Sequence, residues 1–224
     1  MEVISAFIIL VPFAFAAIHF LEFSAILARV AGIRKASHLV GYSIQQAVYV
    51  GTRMFIVSLL PMLGFLVDMR IPSDTYVAVT LCALALAALF SLLALQMRER
   101  IVRYYASVIG RYKNGRSFVS SLFGRSFGDH DGNRLHSERI LSIVETPDAL
   151  RIAFGACMVF AIYSTGIFIS FYFALLHFEH RASISQLSGL VNSVGTVLLT
   201  FYVEPQISRG IDEKREDAEN RAYR

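Results

Sequence analysis

The chain has 224 residues, of which 55% are hydrophobic and only 17% are charged. A soluble domain carries about a quarter charged residues, so this chain has too few to coat a soluble globule. Long apolar runs alternate with charged patches, a pattern typical of an integral membrane protein. We therefore predict an all-α, polytopic membrane protein whose single transmembrane domain covers residues 1–204. A charged cytoplasmic tail, residues 205–224, follows it.

Five apolar segments are long enough to cross a bilayer as helices. Gly32 is predicted to stop the first helix, and Pro61 to kink or break the second. A broken second helix, or insertion of the segment 98–127 into the membrane, would raise the count, so we expect five to six spans. The predicted spans are about residues 3–28, 38–67, 75–97, 152–178 and 183–203.

The long connection between the third and fourth spans, residues 98–151, is polar. Its first part, RERIVRYYASVIGRY, sets arginines beside Ile, Val and Tyr, which predicts a basic amphipathic helix on the membrane surface. The Gly- and Ser-rich residues 114–134 predict a mobile loop. Residues 137–150 predict a short surface helix before the fourth span.

Positive charge predicts the orientation in the membrane. Of the 21 Lys and Arg residues, only Arg53, Arg70 and Arg181 lie outside the turn after the first span, the long connection and the tail. With five spans these three regions share one side, which the positive-inside rule assigns to the cytoplasm. The N-terminus is then outside and the C-terminus is cytoplasmic.

Polar side chains occur where hydrocarbon is expected in the first two spans. Ionisable groups at membrane depth are costly and normally face a partner or a watery cavity. We predict that Glu22 of the first span and Arg53 of the second face a shared polar interior. The alternative is that these groups only bond neighbouring helices together. The second span carries its polar groups at spacings of three and four residues, as one stripe of Tyr42, Gln45, Gln46, Tyr49 and Arg53.

The turn after the first span is cationic. Arg29, Arg34 and Lys35 would lie at the cytoplasmic mouth of the polar stripe, and an arginine fork can give two hydrogen bonds to one phosphate. Such cations can equally meet anionic lipid heads. In the last span, Asn192 is a candidate for touching a substrate or for bonding a neighbouring helix.

Catalysis is not the leading interpretation. The sequence has no Ser or Cys with a placed His, no paired carboxylates, no HExxH and no glycine-rich phosphate loop before a helix. We predict no catalytic residue, no metal site, no cofactor and no nucleic-acid partner. A path from surface cations to a buried arginine suits a lipid with a phosphate-containing head that crosses the bilayer.

Both ends of the chain resemble the Amj-type lipid II flippase family of bacteria. The resemblance covers about residues 15–70, which include IHFLEFSAILARVAGIRKASHL and GTRMFIVSLLPMLGFLVD, and residues 155–215. The family's deep Ser-Arg pair is Thr52-Arg53 here, and the glutamine that the family has before Pro61 is missing. The other matching positions are Glu22, Arg29-Val-Ala-Gly32, Val67-Asp68, Asn192-Ser193 and Glu204-Pro205.

The resemblance implies a transporter, not an enzyme, in the cytoplasmic membrane of a bacterium. Its substrate would be lipid II, the undecaprenyl-pyrophosphate-linked peptidoglycan precursor, moved from the inner to the outer leaflet for cell-wall biogenesis and cell shape. Its other partners would be membrane lipids, with the oligomeric state open. Alternatives are an intramembrane enzyme acting on a polyprenyl-phosphate lipid and a structural partner in a cell-envelope complex. The expected substrate-binding residues are Arg29, Arg34, Lys35, Arg53, Glu22, Gln45, Gln46 and Asn192.

Two of the residues in the first span could take part in energy coupling. His19 and Glu22 could titrate in a proton-coupled transport cycle. The alternative is that they form an ordinary satisfied pair in the protein core.

Overall fold

The computed structural model describes residues 2–124, 147–206 and 208–209, with side chains from Phe154 onward in the second range. These residues are helical apart from short turns, and no strand occurs among them. Five helices are long and apolar enough to cross a membrane, which confirms the predicted all-α, multi-span class. The helices are α1 (Glu2–Arg34), α2 (His38–Asp68), α3 (Ser73–Gln96), α4 (Arg98–Lys113), α5 (Phe118–Phe123), α6 (Pro147–Leu176) and α7 (Arg181–Leu198).

The described residues fall in two compact units, residues 1–136 and 137–224. In the first unit α1 is the central helix, because it packs against α2, α3 and α4. Its buried face carries Val11, Phe15 and Ile18, which are almost fully shielded. In the second unit α6 packs against α7, and a π-helical turn, Leu199–Val203, extends α7. The predicted end of the transmembrane domain at residue 204 remains a prediction.

The end of α1 differs from the prediction. The helix continues through Gly32 to Arg34, so Gly32 is not the helix stop. Instead, Ala36 takes the left-handed conformation with φ 46°, and the Ser37 amide donates to the Gly32 carbonyl at 2.8 Å, as in a Schellman cap. Gly32 is needed for packing, because a Cβ there would lie 3.0 Å from the Cα of Gly41 in α2.

The second span is a single helix. α2 runs from His38 to Asp68 with Pro61 inside it, so the predicted break does not occur. Among the residues that the structure describes, five helices could cross a membrane, and α4 is not one of them.

The long connection begins as predicted, with the amphipathic helix α4. Its apolar face is covered by protein, since Val102, Tyr105 and Ile109 pack with Ala28 of α1 and Ile44 of α2. The loop predicted over residues 114–134 contains the helix α5, so that prediction is wrong for Phe118–Phe123. The rest of that stretch beyond residue 124, residues 137–146 of the predicted surface helix, and the tail after residue 209 lie outside the described residues.

Two side chains of α4 fix α5 in place. The Arg111 guanidinium donates through Nε and Nη2 to the Ser121 carbonyl, at 3.1 and 2.7 Å. The Tyr104 hydroxyl donates to the Leu122 carbonyl. At the start of α5, the Ser120 amide donates to the Ser117 hydroxyl, which satisfies one of the unpaired donors of a helix N-terminus. These long-range contacts hold a six-residue helix that would not be stable alone.

Candidate functional site

Glu22 and Arg29 lie on the same face of α1, and both side chains are only 7% exposed. Seven residues separate them, which is two helical turns or about 10 Å along the axis. One turn before Glu22, half-buried His19 donates from Nδ1 to the Phe15 carbonyl at 3.1 Å. The His19 and Phe15 rings lie 4.3 Å apart. A buried acid and a buried base therefore share one surface of a spanning helix.

The residues of the predicted polar stripe of α2 differ in burial. Gln45 is buried, Gln46, Tyr49 and Arg53 are half-buried, and Tyr42 is exposed. Arg53 lies at the midpoint of α2, fifteen residues from each end, which is about 22 Å. It is therefore placed at the depth where a charged group needs a partner or water.

The close approach of Gly32 and Gly41 sets the register of the α1–α2 hairpin. The two helices are joined by residues 35–37 and run antiparallel, so positions equally distant from this crossing lie at the same level. Glu22 is ten residues before Gly32, and ten residues after Gly41 is position 51. Because both helices rise about 1.5 Å per residue, Glu22 lies near the level of Gly51, and Arg53 lies about 3 Å farther along α2. An ion pair between Glu22 and Arg53 remains a prediction that this register favours.

Arg29 differs from the other cations predicted around the first turn. Its guanidinium carbon lies 4.8 Å from the centre of the Tyr42 ring, a distance at which a cation and an aromatic face attract each other. The arginine is therefore directed into the hairpin and joins the first residue of the α2 stripe. The sequence showed the spacing of both residues but did not predict their contact.

Arg34, the last residue of α1, is bound by an acidic residue of α4. Its Nη1 and Nη2 atoms donate to the two carboxylate oxygens of Glu99, at 2.9 and 3.0 Å. These hydrogen bonds lower the pKa of Glu99, and the positive charges of Arg34, Arg98 and Arg103 act in the same direction. Sequence reasoning missed Glu99, although an acid that begins a basic helix at the same membrane boundary was a usable signal.

The predicted cation cluster is thus divided between two environments. Arg29 is buried in the hairpin, Arg34 pairs with Glu99, and the Lys35 carbonyl accepts a hydrogen bond from the Lys113 amine at 3.3 Å.

Asn192 lies half-buried on α7 in the second unit, where its backbone carbonyl accepts a hydrogen bond from the Thr196 hydroxyl at 2.9 Å. Within the described ranges, His, Cys, Asp and Glu form no group of three that could hold a metal ion.

The family model of Amj, described as Alternate to MurJ, matches residues 14–223. The chain belongs to the Amj family. The matched range includes every candidate residue named above, and it extends through the long connection that joins the two units. No curated protein and no solved structure gives a significant match to the chain.

Proposed function

We propose that this member of the Amj family is a lipid II flippase. It moves the undecaprenyl-pyrophosphate-linked peptidoglycan precursor from the inner to the outer leaflet of the cytoplasmic membrane. The family description, Alternate to MurJ, and the five candidate spans support this proposal. Among the alternatives, neither the intramembrane enzyme nor the structural partner is favoured by a specific contact.

The observation that carries the proposal is the pair of buried charges on one face of α1, Glu22 and Arg29. A scaffold helix in lipid has no need of such groups, which are costly at membrane depth and commonly mark substrate or ion pathways. The half-buried stripe on α2 continues the same polar surface to Arg53. Together they give a polar route along the hairpin for the head group, while the prenyl chain stays in lipid.

Each polar residue has a distinct part in the proposed route. Arg29 and Arg53 attract the pyrophosphate, because the guanidinium fork can bind two oxygens of an oxyanion. Glu22 pairs with Arg53 between substrates, so that the arginine does not trap the phosphate. Gln45 and Gln46 bond the sugars or their water. Asn192 of α7, in the second unit, stays a separate candidate for contact with the substrate. His19 and Glu22 are the groups that could carry a coupled proton.

Arg34 and Lys35 act at the entrance on the positively charged side, which we assign to the cytoplasm. The Glu99 carboxylate already occupies both arms of the Arg34 guanidinium. A phosphate would therefore have to exchange with Glu99 at this residue. The exchange costs little free energy, because an ion pair this exposed stabilises the protein by at most about 1 kcal/mol.

The decisive experiment replaces Arg53 in a cell that depends on this protein for lipid II transport. We expect R53A to abolish the appearance of lipid II in the outer leaflet, and R53K to retain part of it, because Lys keeps the charge but loses the fork. R100A, which removes an exposed arginine of α4, is the matched control and should transport normally.

Normal outer-leaflet lipid II in the R53A strain would contradict the proposed route. Release of phosphate from lipid II by the purified protein would instead favour the intramembrane enzyme. Membrane levels of each variant have to match the wild type, so that a loss of transport is not a loss of protein.

A further inference from the structure

The helix α5 presents an apolar surface away from the protein core. Phe118 and Leu122, one turn apart, pack against the cluster formed by α1, α2 and α4. Val119 and Phe123, also one turn apart, are 65% and 86% exposed. An exposed pair of large apolar side chains at this spacing indicates a surface that contacts something apolar.

The position of α4 places this surface at the membrane boundary. Glu99 near the start of α4 pairs with Arg34, and Lys113 at its end bonds the Lys35 carbonyl. Fourteen residues of helix span about 21 Å, yet both ends reach consecutive residues of the α1 terminus. A helix that crosses the end of α1 near its own middle satisfies both contacts, which favours an α4 that runs across the spanning direction.

The depth of this layer follows from its contacts. The cluster that holds α4 and α5 includes Ala28 and Ala31, six and three residues before the end of α1 at Arg34. That distance is about 5–9 Å along the helix, so α4 and α5 pack against the last turns of a candidate spanning helix. α4 also begins two residues after the spanning helix α3 ends at Gln96.

The charges around α5 complement an anionic surface. Residues 98–124 contain six basic side chains and one acid, Glu99, and that acid is engaged by Arg34. Lys113, the last residue of α4, and Arg116, in the turn that follows, are both exposed and lie just before α5. Lys and Arg next to apolar side chains are the composition with which helices bind in the plane of an anionic membrane.

We propose that α5 is a membrane-surface anchor. Val119 and Phe123 insert between the lipids of the leaflet on the positively charged side, and Lys113 and Arg116 bind anionic lipid head groups beside them. The α4 helix, whose apolar face is occupied by α1 and α2, acts as the rigid support. This binding surface is separate from the polar route of α1 and α2, and it does not rest on the proposed transport.

Fluorescence can test this anchor directly, because the chain contains no tryptophan. The F123W variant, reconstituted as the full chain in phosphatidylglycerol vesicles, should have blue-shifted emission. Lipids that carry a quencher near the head group should quench its indole strongly. R100W, at an exposed position near the start of α4, is the control, and acrylamide should quench F123W severalfold less than R100W.

Charge complementarity gives a second measurement. Replacing phosphatidylglycerol by phosphatidylcholine, or introducing K113Q and R116Q into F123W, should reduce the lipid quenching and increase the acrylamide quenching. V119W provides an independent probe if F123W is poorly folded, and it should behave in the same way. Equal acrylamide quenching of F123W, V119W and R100W in anionic vesicles would overturn the proposal and leave α5 as a surface for a protein partner.

Discussion

The two units of the chain differ in the polar side chains that their helices bury. In the first unit, α1 and α2 bury a carboxylate, a guanidinium and an amide, from Glu22, Arg29 and Gln45. The buried polar side chains described in the second unit are Ser164, Ser170 and Ser188. The Ser170 hydroxyl donates to the Gly166 carbonyl of its own helix, an arrangement that needs no partner from elsewhere.

Glycine brings the helices together in both units, so close packing alone does not explain the buried charges. In the first unit the crossing is Gly32 against Gly41, backbone to backbone. In the second unit Gly166 and Gly195 receive the side chains of Val191 and Tyr163. Among the described residues, the buried charged side chains lie in the α1–α2 hairpin. We therefore expect α6 and α7 to contribute mainly packing, with Asn192 as their one candidate for contact with a substrate.

The largest effect is expected from closing the space at the first crossing. In G41A the new Cβ would lie 2.8 Å from both the Ala28 carbonyl oxygen and the Gly32 Cα. These are backbone atoms, so the helices must separate, at a cost of about 1–3 kcal/mol. We expect a lower melting temperature in detergent and a loss of transport. G51A, which meets no atom within 4 Å, is the control, and equal melting of both variants would refute the tight crossing.

The same substitution in the second unit tests whether that unit is a scaffold. In G166A the Cβ would lie 2.1 Å from a methyl carbon of Val191, which predicts a loss of about 1–3 kcal/mol. G189A, with no atom within 4 Å, should keep the wild-type melting temperature. Transport by G166A should fall only as far as stability falls. A transport loss with normal melting would place chemistry in α6–α7 and break the comparison.

A smaller effect is expected from the contact between Arg29 and Tyr42. Y42L removes the aromatic face under the guanidinium, worth about 0.5–2 kcal/mol, whereas Y42F keeps the ring. We expect Y42L to transport lipid II about tenfold more slowly, which corresponds to about 1.4 kcal/mol, and Y42F to match the wild type. If the two variants transport equally well, Arg29 does not depend on the ring.

The smallest effect concerns the Arg34–Glu99 pair. Because Arg34 lowers the pKa of Glu99, the pair stabilises the fold above the usual carboxyl pKa of about 4 and is lost as pH falls through the lowered value. With half of the Glu99 side chain exposed, its contribution is at most about 1 kcal/mol. E99Q should lower the melting temperature slightly at neutral pH. On acidification, its melting temperature should fall less than that of the wild type.

The control for this last prediction lies in the other unit. E179Q removes an exposed carboxylate of the turn between α6 and α7 and should leave the pH dependence of melting unchanged. A wild-type pH profile in E99Q would mean that the ion pair does not contribute to stability.

The sequence was sufficient for features that depend on local composition. Apolar length predicted five to six spans, and five candidate spans lie among the described residues. The spacing of Arg, Tyr and Val predicted α4. It was insufficient where distant residues decide. Gly32 fits the rule for a helix stop, but its lack of a side chain instead allows the close approach of Gly41. The residue in the left-handed conformation that ends α1 is Ala36. Arg34 and Glu99 are 65 positions apart. The register that brings Glu22 to within about 3 Å of the level of Arg53 depends on that glycine crossing.

The placement of α4 has a mechanical consequence. Both ends of α4 are bonded to neighbouring residues at the end of α1. For this reason α1 cannot shift along its own axis relative to α4 without breaking one of these two contacts. We expect α1, α2 and α4 to move together as one rigid body. The hinges are then the two connections that join these helices to α3, which are residues 69–72 after α2 and Met97 before α4.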